Sequence, residues 1–163
     1  MRDKKSSYET WTNTARIKTN KMEYTSDKIT RRHISYLKMA EEWANNSCCS
    51  RKKVGALIVK GDMIISDGYN GTPSGFPNDC EDGNGDTYFY VLHSEANAIT
   101  KLSRSTQNGE GATLYVTMAP CKDCAKLIIQ TGIKTVIYKE EYRENIGIKL
   151  LKQASINVIK LEY

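Results

Sequence analysis

The sequence predicts an α/β fold in which helices cover both faces of a five-stranded mixed sheet. Two apolar runs, residues 54–60 and 63–68, flank the turn pair Gly61-Asp62 and so predict an opening β-hairpin. Further apolar runs then alternate with segments of helical period along the rest of the chain. Because a helical crossover joins parallel strands, the last two strands should be parallel neighbours, which makes the sheet mixed.

The first helix is predicted from about residue 27 to residue 45. The residues that recur there at steps of three and four are Ile29, His33, Leu37, Ala40 and Ala44. Ser26 or Asp27 can cap its start, and the polar residues 45–47 end it. Residues 71–86 are rich in Gly, Pro, Asn and Asp and predict a long loop, of the kind that tends to be functional in a compact domain.

Three more helices and three more strands complete the prediction. Helices are expected at residues 93–103, 121–130 and 144–154, and strands at residues 113–117, 135–139 and 157–161. Thr131-Gly132 is a typical end for the second of these helices, since glycine commonly follows a last helical turn. The predicted order is therefore α, β, β, α, β, α, β, α, β.

The composition is that of one globular domain without a membrane span or an export signal. The chain has 163 residues, 39% of them hydrophobic, and no apolar run of the about 18 residues that a span needs. Residues 1–21 are polar throughout and lack the apolar centre of a secretory signal. Five cysteines at uneven spacing are a poor disulfide framework and a better match to intracellular thiolate ligands. We therefore expect a cytoplasmic protein.

The net charge of +5 is confined to the beginning of the chain. Residues 1–33 hold nine Lys/Arg and four Asp/Glu, and residues 34–163 hold 15 of each. We therefore divide the chain into a basic arm, residues 1–26, and a domain, residues 27–163. The arm is expected to be solvated and partly disordered, with a role in subunit contacts or nucleotide binding as the alternative. A neutral body argues against a polynucleotide partner, which usually needs a basic face.

Two short fragments, HSE at residues 93–95 and PCKDC at residues 120–124, have the composition of a catalytic zinc site. His93, Cys121 and Cys124 supply three ligands, which leaves the fourth position of the metal to water. The two cysteines share a face in the first turn of a predicted helix, where free N–H groups and the helix dipole stabilise thiolates. Alone, this pair could also be a redox couple or half of a structural zinc site.

Glu95 favours the catalytic interpretation. Zinc lowers the pKa of a bound water toward about 7, and a neighbouring carboxylate can accept that proton and deliver it to a substrate. Suitable chemistry is attack at an amidine-like carbon such as C4 of cytosine, protonation at N3, and loss of ammonia. The combination of H-x-E and P-C-x-x-C resembles the signature of the zinc-dependent nucleobase deaminases.

The resemblance extends to the deoxycytidylate (dCMP) deaminases over about residues 27–161. Segment 93–99, HSEANAI, is similar to the H-A-E-x-N-A-I of that family, with Ser94 in place of the usual alanine. Segment 68–73, GYNGTP, resembles its G-Y-N-G-x-P loop, which generic zinc deaminases lack. Segment 49–56, CSRKKVGA, resembles its C-x-R-x-x-V-G-A entry to the first strand. Residues 114–117, 125–134 and 138–142 are similar too.

This resemblance implies a three-layer αβα cytidine-deaminase-like fold and the zinc-dependent hydrolysis of dCMP to dUMP and ammonia, which feeds thymidylate synthesis. It also implies a homo-hexamer that dCTP activates and dTTP inhibits, with Mg²⁺ accompanying the triphosphate effector. No membrane partner is expected. Two alternatives stay open: a polynucleotide deaminase, such as a tRNA adenosine deaminase, and a non-catalytic zinc module that binds nucleotides.

The resemblance also implies four substrate-binding residues. Arg51 and then Lys53, from a cationic cluster before the first strand, are expected to bind the nucleotide phosphate through charge-assisted hydrogen bonds; a solvated turn is the alternative. Asn70 is expected to hydrogen-bond the deoxyribose, although Asn-Gly is also a common turn pair. Tyr142 is expected to close over the nucleotide, with a simple surface tyrosine as the alternative.

Some members of this family bind a second, structural zinc, of which Cys49 and Cys80 match two ligands. The third would be a histidine upstream of the catalytic one, and residues 86–92 contain neither His nor Cys. Only His33 and Cys48 could replace it. We therefore expect one catalytic zinc per subunit, with the remaining three cysteines as free thiols.

Overall fold

The computed structural model describes residues 27–163 of the chain. The chain divides into two units, Met1–Ile34 and Ser35–Tyr163. In the first unit residues 27–34 are helical, and in the second residues 35–44 are helical and are called α1. The first predicted helix thus has its counterpart in both units. The predicted arm, residues 1–26, lies outside the described residues, so the boundary after residue 26 stays a prediction.

The second unit contains five strands and, after α1, three further helices. In chain order these are β1 (Gly55–Lys60), β2 (Met63–Tyr69), α2 (Ser94–Leu102), β3 (Thr113–Met118), α3 (Lys122–Gln130), β4 (Thr135–Glu140), α4 (Ile146–Gln153) and β5 (Asn157–Lys160). The order is the predicted one, with boundaries shifted by one or two residues. None of the helices among residues 27–163 is long and apolar enough to cross a membrane.

The strands form one mixed sheet in the order β2-β1-β3-β4-β5. Strand β1 is antiparallel to both β2 and β3, whereas β3, β4 and β5 are parallel. Gly61 and Asp62 both have positive φ values, 55° and 64°, as a two-residue hairpin turn requires. The predicted hairpin, mixed sheet and parallel final strands are therefore confirmed.

Alternating side chains give the sheet two buried faces, each covered by helices. On one face, Ile58 and Val116 pack with residues of α2, α3 and α4. On the other face, Leu57 and Tyr115 pack with Leu37 of α1. Since successive side chains of a strand point to opposite faces, both helical layers are held by the same strands. The three-layer arrangement predicted from the sequence is confirmed.

The sheet brings the ends of four strands to one edge. Gly55 at the start of β1 pairs with Tyr69 at the end of β2, and Ala56 pairs with Val116 near the end of β3. Val116 pairs in turn with Tyr138 near the end of β4. The segments that precede β1 and follow β2, β3 and β4 therefore meet at this edge, which carries most of the candidate site.

Two glycines let backbones approach closely beside this edge. A Cβ atom on Gly68 would lie 2.3 Å from the Ser94 carbonyl oxygen, so α2 packs directly on β2. A Cβ atom on Gly147 would lie 2.0 Å from the Pro120 carbonyl oxygen and 2.8 Å from that of Cys121. Both contacts fix the positions at which candidate ligand helices begin.

Gly147→Ala is expected to reduce the free energy of unfolding by about 1–3 kcal/mol, because its methyl group would overlap backbone atoms. In a domain of this size each kcal/mol lowers the melting temperature by roughly 2–4 °C. Gly83→Ala is the matched control, since no atom lies within 4 Å of its added Cβ. Thermal denaturation followed by circular dichroism measures both variants, and equal melting temperatures would contradict the packing argument.

Candidate active site

Helices α2 and α3 each begin at a candidate metal ligand. His93 is the N-cap residue of α2, with φ −73° and ψ 156°, and Cys121 is the N-cap residue of α3. The Cys121 Sγ atom accepts a hydrogen bond of 3.4 Å from the backbone N–H of Cys124. Cys121 thus caps its helix as serine or aspartate commonly does, and the predicted helix start at residue 121 moves to residue 122.

The three candidate ligand atoms have the spacing of a zinc site. The His93 Nδ1 atom lies 3.4 Å from Cys121 Sγ and 3.5 Å from Cys124 Sγ. With Zn–S bonds of about 2.3 Å and Zn–N bonds of about 2.0 Å at tetrahedral angles, the sulfur and nitrogen ligands are roughly 3.5 Å apart. These residues therefore fit a zinc ion with one position left open.

The two thiols are electrostatically coupled. A hydrogen bond from the Cys124 thiol lowers the pKa of Cys121 to about 4, and His93 supports this shift. The same hydrogen bond, together with burial, raises the pKa of Cys124. The hydrogen bond to Cys121 raises the pKa of His93. A divalent cation bound here would allow both sulfurs to bind as thiolates.

Glu95 follows this histidine by two residues and is almost completely buried, with 4% of its surface exposed. Burial raises the pKa of its carboxyl group above the ordinary value, and the nearby His93 opposes that shift. The fully buried Ser94 hydroxyl donates a 3.0 Å hydrogen bond to Glu95 Oε2. The sequence marked Ser94 only as a replacement for alanine and did not reveal this contact.

A cavity of about 610 Å³ joins this centre to the loops at the sheet edge. His93, Glu95 and Cys121 contribute to its lining, and further lining residues come from segments 49–54, 81–91 and 142–143. Of the residues predicted to bind substrate, the structure brings three to this cavity and leaves one out. Those that line it are Arg51, Asn70 and Tyr142.

Lys53 is the predicted site residue that the structure does not bring to the cavity. Its ammonium group donates to the Asn45 carbonyl oxygen at 3.2 Å. Lys52 lines the cavity instead and forms a 2.5 Å ion pair with Glu140. The expectation that Lys53 binds the phosphate is therefore corrected: neighbouring residues at a strand entry face opposite ways, and the sequence does not show which faces the cavity.

The Asn70 side chain holds the segment before β1 in place. Its Oδ1 accepts from the Val54 backbone N–H at 2.8 Å, and its Nδ2 donates to the Lys52 carbonyl oxygen at 2.8 Å. A side-chain amide has two donors and two acceptor positions, so one of each stays available toward the cavity. Asn70 can therefore fix the loop and contact a ligand; the deoxyribose contact itself stays a prediction.

Glu81 from the long loop fixes the position of Arg51. The Glu81 carboxylate accepts from Ser50 N–H at 3.1 Å, from Ser50 Oγ at 3.0 Å and from Arg51 N–H at 3.2 Å. The Ser50 backbone hydrogen bond lowers the pKa of Glu81. The Arg51 guanidinium lies 3.4 Å from the Thr87 hydroxyl. No spacing in the sequence indicated Glu81, because it contacts residues about thirty positions away.

The expectation that Cys49 and Cys80 are free thiols is wrong, because a disulfide joins them. Cys48, the proposed replacement ligand, lies with its Sγ 3.5 Å from Cys80 Sγ. The three sulfur atoms form a group close enough to hold a metal, but a bonded pair cannot supply two thiolates. Long-range loop folding brings this pair together, which the uneven spacing of the cysteines could not reveal. A single zinc per chain stays a prediction.

Tyr142 forms part of the cavity wall rather than a free surface side chain. Its ring is half-buried and packs against the main core cluster. The guanidinium carbon of the exposed Arg143 lies 5.6 Å from the centre of that ring, within the range of a cation–π contact. Arg143 also lines the cavity and was missed in the sequence, where only its tyrosine neighbour matched a family feature.

Residues 30–140 match the model of the cytidine and deoxycytidylate deaminase zinc-binding region. The deoxycytidylate deaminase of Saccharomyces cerevisiae is 36% identical over 138 residues, which cover 78% of this chain but only 44% of the yeast protein. The deoxycytidylate deaminase of Enterobacteria phage T4 is 37% identical over 153 residues, covering 69% of this chain and 77% of the phage protein.

A solved structure is similar over most of the chain. The crystal structure of dCMP deaminase from the cyanophage S-TIM5, in complex with dCMP and dUMP, has a TM-score of 0.76 and 45% identity. The comparison covers 78% of this chain and 94% of the cyanophage chain.

The purified protein is expected to contain one zinc ion per chain. Cys124→Ser should remove it, because a serine hydroxyl is a poor replacement for a thiolate ligand. Glu95→Gln is the matched control and should retain zinc, since its carboxylate is outside the group of three ligands. Metal analysis after dialysis measures all three proteins. Two zinc ions per chain would contradict the single site and indicate the other cysteine group.

The disulfide makes a separate prediction about thiols. Denatured, metal-free protein kept from reductant should react with a thiol reagent at three positions: Cys48, Cys121 and Cys124. Peptide mapping should recover Cys49 and Cys80 as one linked pair. Five reactive thiols in freshly purified protein would contradict the disulfide.

Proposed function

We propose that this chain, which belongs to the cytidine and deoxycytidylate deaminase family, hydrolyses dCMP to dUMP and ammonia. The observation that carries the proposal is the buried Glu95 carboxylate in one cavity with the metal donors His93 and Cys121. The substrate is proposed from the likeness to the cyanophage enzyme solved with dCMP and dUMP. The chain spans less than half the length of the yeast relative, so the proposed activity depends on the residues that the chain itself supplies.

Zinc held by His93, Cys121 and Cys124 would supply a water molecule of lowered pKa, which is a nucleophile at neutral pH. Glu95 accepts one proton of a water molecule in the cavity and delivers it to N3 of the cytosine while the oxygen adds to C4. Glu95 then carries the second water proton, now on the hydroxyl group at C4, to the C4 amino group. Ammonia leaves and the C4 carbonyl of dUMP forms, so that all atoms and protons are accounted for.

The surroundings of Glu95 suit these two proton transfers. Burial raises its pKa, which favours a carboxyl group that holds a proton between the two steps. The Ser94 hydroxyl restrains the carboxylate through its hydrogen bond to Oε2. Exclusion of bulk water from this side of the cavity limits proton loss between the steps.

The rim of the cavity suits a small anionic substrate. Arg51, Lys52 and Arg143 line it together with the carboxylates of Glu81 and Asp86. Such a mixed rim offers local cationic donors to one phosphate group but no continuous basic surface for a polynucleotide backbone. We therefore propose a free nucleotide as the substrate.

Several finer features of the proposal depend on the family resemblance alone. They are a homo-hexamer, activation by dCTP with Mg²⁺, inhibition by dTTP, and a supply of dUMP to thymidylate synthesis. A cytoplasmic location is proposed separately, from the polar residues 1–21 that lack the apolar centre of a secretory signal. Sedimentation analysis tests the hexamer. Assays with dCTP or dTTP added at low dCMP concentration test the regulation, and an unchanged rate with either nucleotide would contradict it.

The activity itself is tested by ammonia release from dCMP, with deoxycytidine and dCTP assayed in parallel. We expect clear preference for dCMP. Glu95→Gln should lower kcat by at least about 10²–10⁴-fold, because the proton carrier is lost. The same variant should keep its zinc and its melting temperature, which separates loss of chemistry from loss of structure. A zinc-loaded, folded protein that releases no ammonia from dCMP would contradict the proposal.

A further inference from the structure

A disulfide and a free thiol are in contact beside the cavity, and they differ in exposure. Cys49 and Cys80 are bonded to each other and expose only 2% and 0% of their surfaces. Cys48 is a free, exposed thiol. Its Sγ lies 3.5 Å from the Cys80 Sγ, and all three sulfur atoms lie within 4.8 Å of one another. A disulfide that solvent hardly reaches therefore has an exposed thiol against it.

The contact between Cys48 and Cys80 suits thiol–disulfide exchange. Exchange proceeds by attack of a thiolate on a disulfide sulfur, so its rate depends on access to that sulfur. A thiol dissolved in water has little access to either buried sulfur, whereas Cys48 already touches one of them. Since an S–S bond is about 2.05 Å long, the Cys48 Sγ needs to move only roughly 1.5 Å closer to Cys80 to bond with it.

We propose that Cys48, Cys49 and Cys80 form a redox site that a low-molecular-weight thiol such as glutathione enters through Cys48. In the first step the Cys48 thiolate bonds to Cys80, and Cys49 leaves as a thiolate that takes up the proton lost by Cys48. The new disulfide has one exposed sulfur, that of Cys48, which an external thiol can attack.

The remaining two steps complete the reduction. The external thiolate bonds to Cys48, and Cys80 leaves as a thiolate and takes up the proton of that external thiol. A second external thiol attacks the mixed disulfide, forms the external disulfide and returns Cys48 to a thiol. Two external thiols are thus oxidised to one disulfide, and Cys49 and Cys80 are reduced to two thiols. Each step is reversible, so an oxidised external disulfide restores the bond by the same route.

The redox state of this site affects the wall of the cavity. Cys49 lines the cavity and precedes Ser50, and Cys80 precedes Glu81, whose carboxylate accepts from the Ser50 N–H at 3.1 Å. The disulfide therefore joins the segment before β1 to the long loop at the position where their hydrogen bonds also lie. Cleavage removes this covalent connection, and residues 76–86 should become more mobile.

A redox site of this kind suits the cytoplasmic location proposed above. Glutathione and protein reductants keep most cytoplasmic thiols reduced, and the disulfides found there are usually transient and catalytic or redox-sensing. A fully buried disulfide reacts slowly with external thiols because access limits exchange. Cys48 removes that limit, and the rim of the cavity can then respond to the thiols around the protein.

The proposal is tested by the rate at which glutathione reduces the disulfide of the folded, zinc-loaded protein. Samples are quenched with acid, alkylated and mapped by mass spectrometry, which counts the linked Cys49–Cys80 peptides over time. Cys48→Ser should slow their loss at least about tenfold, because glutathione must then attack a buried sulfur. In denaturant, where every sulfur is accessible, the two proteins should react at rates within about twofold of each other.

Equal rates for the two folded proteins would overturn the proposal. A folding defect in Cys48→Ser would expose the disulfide and accelerate its reduction, so slower reduction cannot arise from such a defect. A protein that forms no Cys49–Cys80 bond when treated with oxidised glutathione would overturn the proposal as well.

The point of entry is tested in the opposite direction. Reduced protein is mixed with oxidised glutathione, and the first mixed disulfide should form on Cys48. Cys80→Ser should accumulate that adduct, because the thiol that displaces glutathione is missing. First adducts on Cys49 or Cys80 of the unsubstituted protein would overturn the proposal.

Amide hydrogen exchange tests the connection to the cavity wall. Residues 76–86 should exchange faster in the reduced protein than in the oxidised one, whereas α4 serves as the internal control and should not change. Identical exchange of residues 76–86 in both forms would overturn this part of the proposal. None of these measurements requires deaminase activity, so their outcome is independent of the proposed function.

Discussion

The candidate site depends on one constraint: two helices must begin next to the same point. His93 ends the loop before α2, and Cys121 ends the turn after β3, so each ligand sits where its chain segment changes direction. Close backbone contacts at Gly68 and Gly147 hold these starting points against the sheet. The spacing of the ligand atoms is therefore set by backbone packing, which is stiffer than side-chain packing and tolerates few substitutions.

The same arrangement places two sulfur atoms and a carboxylate close together, where their negatively charged forms are only partly stabilised by the protein. The hydrogen bond between the two sulfurs lowers the pKa of Cys121 and raises that of Cys124. The carboxyl group of Glu95 is buried beside them, where its charged form is disfavoured. A divalent cation relieves both conditions, because it attracts the thiolates and the carboxylate alike. Metal binding and the folded geometry of the site therefore support each other.

Most of the fold and the reactive centre could be predicted, because both leave local signals. The periodicity of apolar residues indicates the strands and helices. The ligand residues are recognisable because few residue types can bind zinc. The rim could not be predicted in the same way. Glu81 contacts Ser50 across a long loop, and Cys49 bonds to Cys80, without any local pattern. Whether the Lys53 side chain points into the cavity or away from it depends on how the residues before β1 are turned, and it points toward the Asn45 carbonyl oxygen.

The centre and the rim are consequently held by different kinds of interaction. The metal donors depend on helix starts and backbone contacts, whereas the rim depends on side chains that connect distant segments. Asn70 and Glu81 hold the segment before β1, and the Lys52–Glu140 ion pair connects it to the segment that carries Arg143. A substitution at the rim can therefore change the lining of the cavity while the metal donors stay in place. The donors and the rim are thus physically separable in this fold.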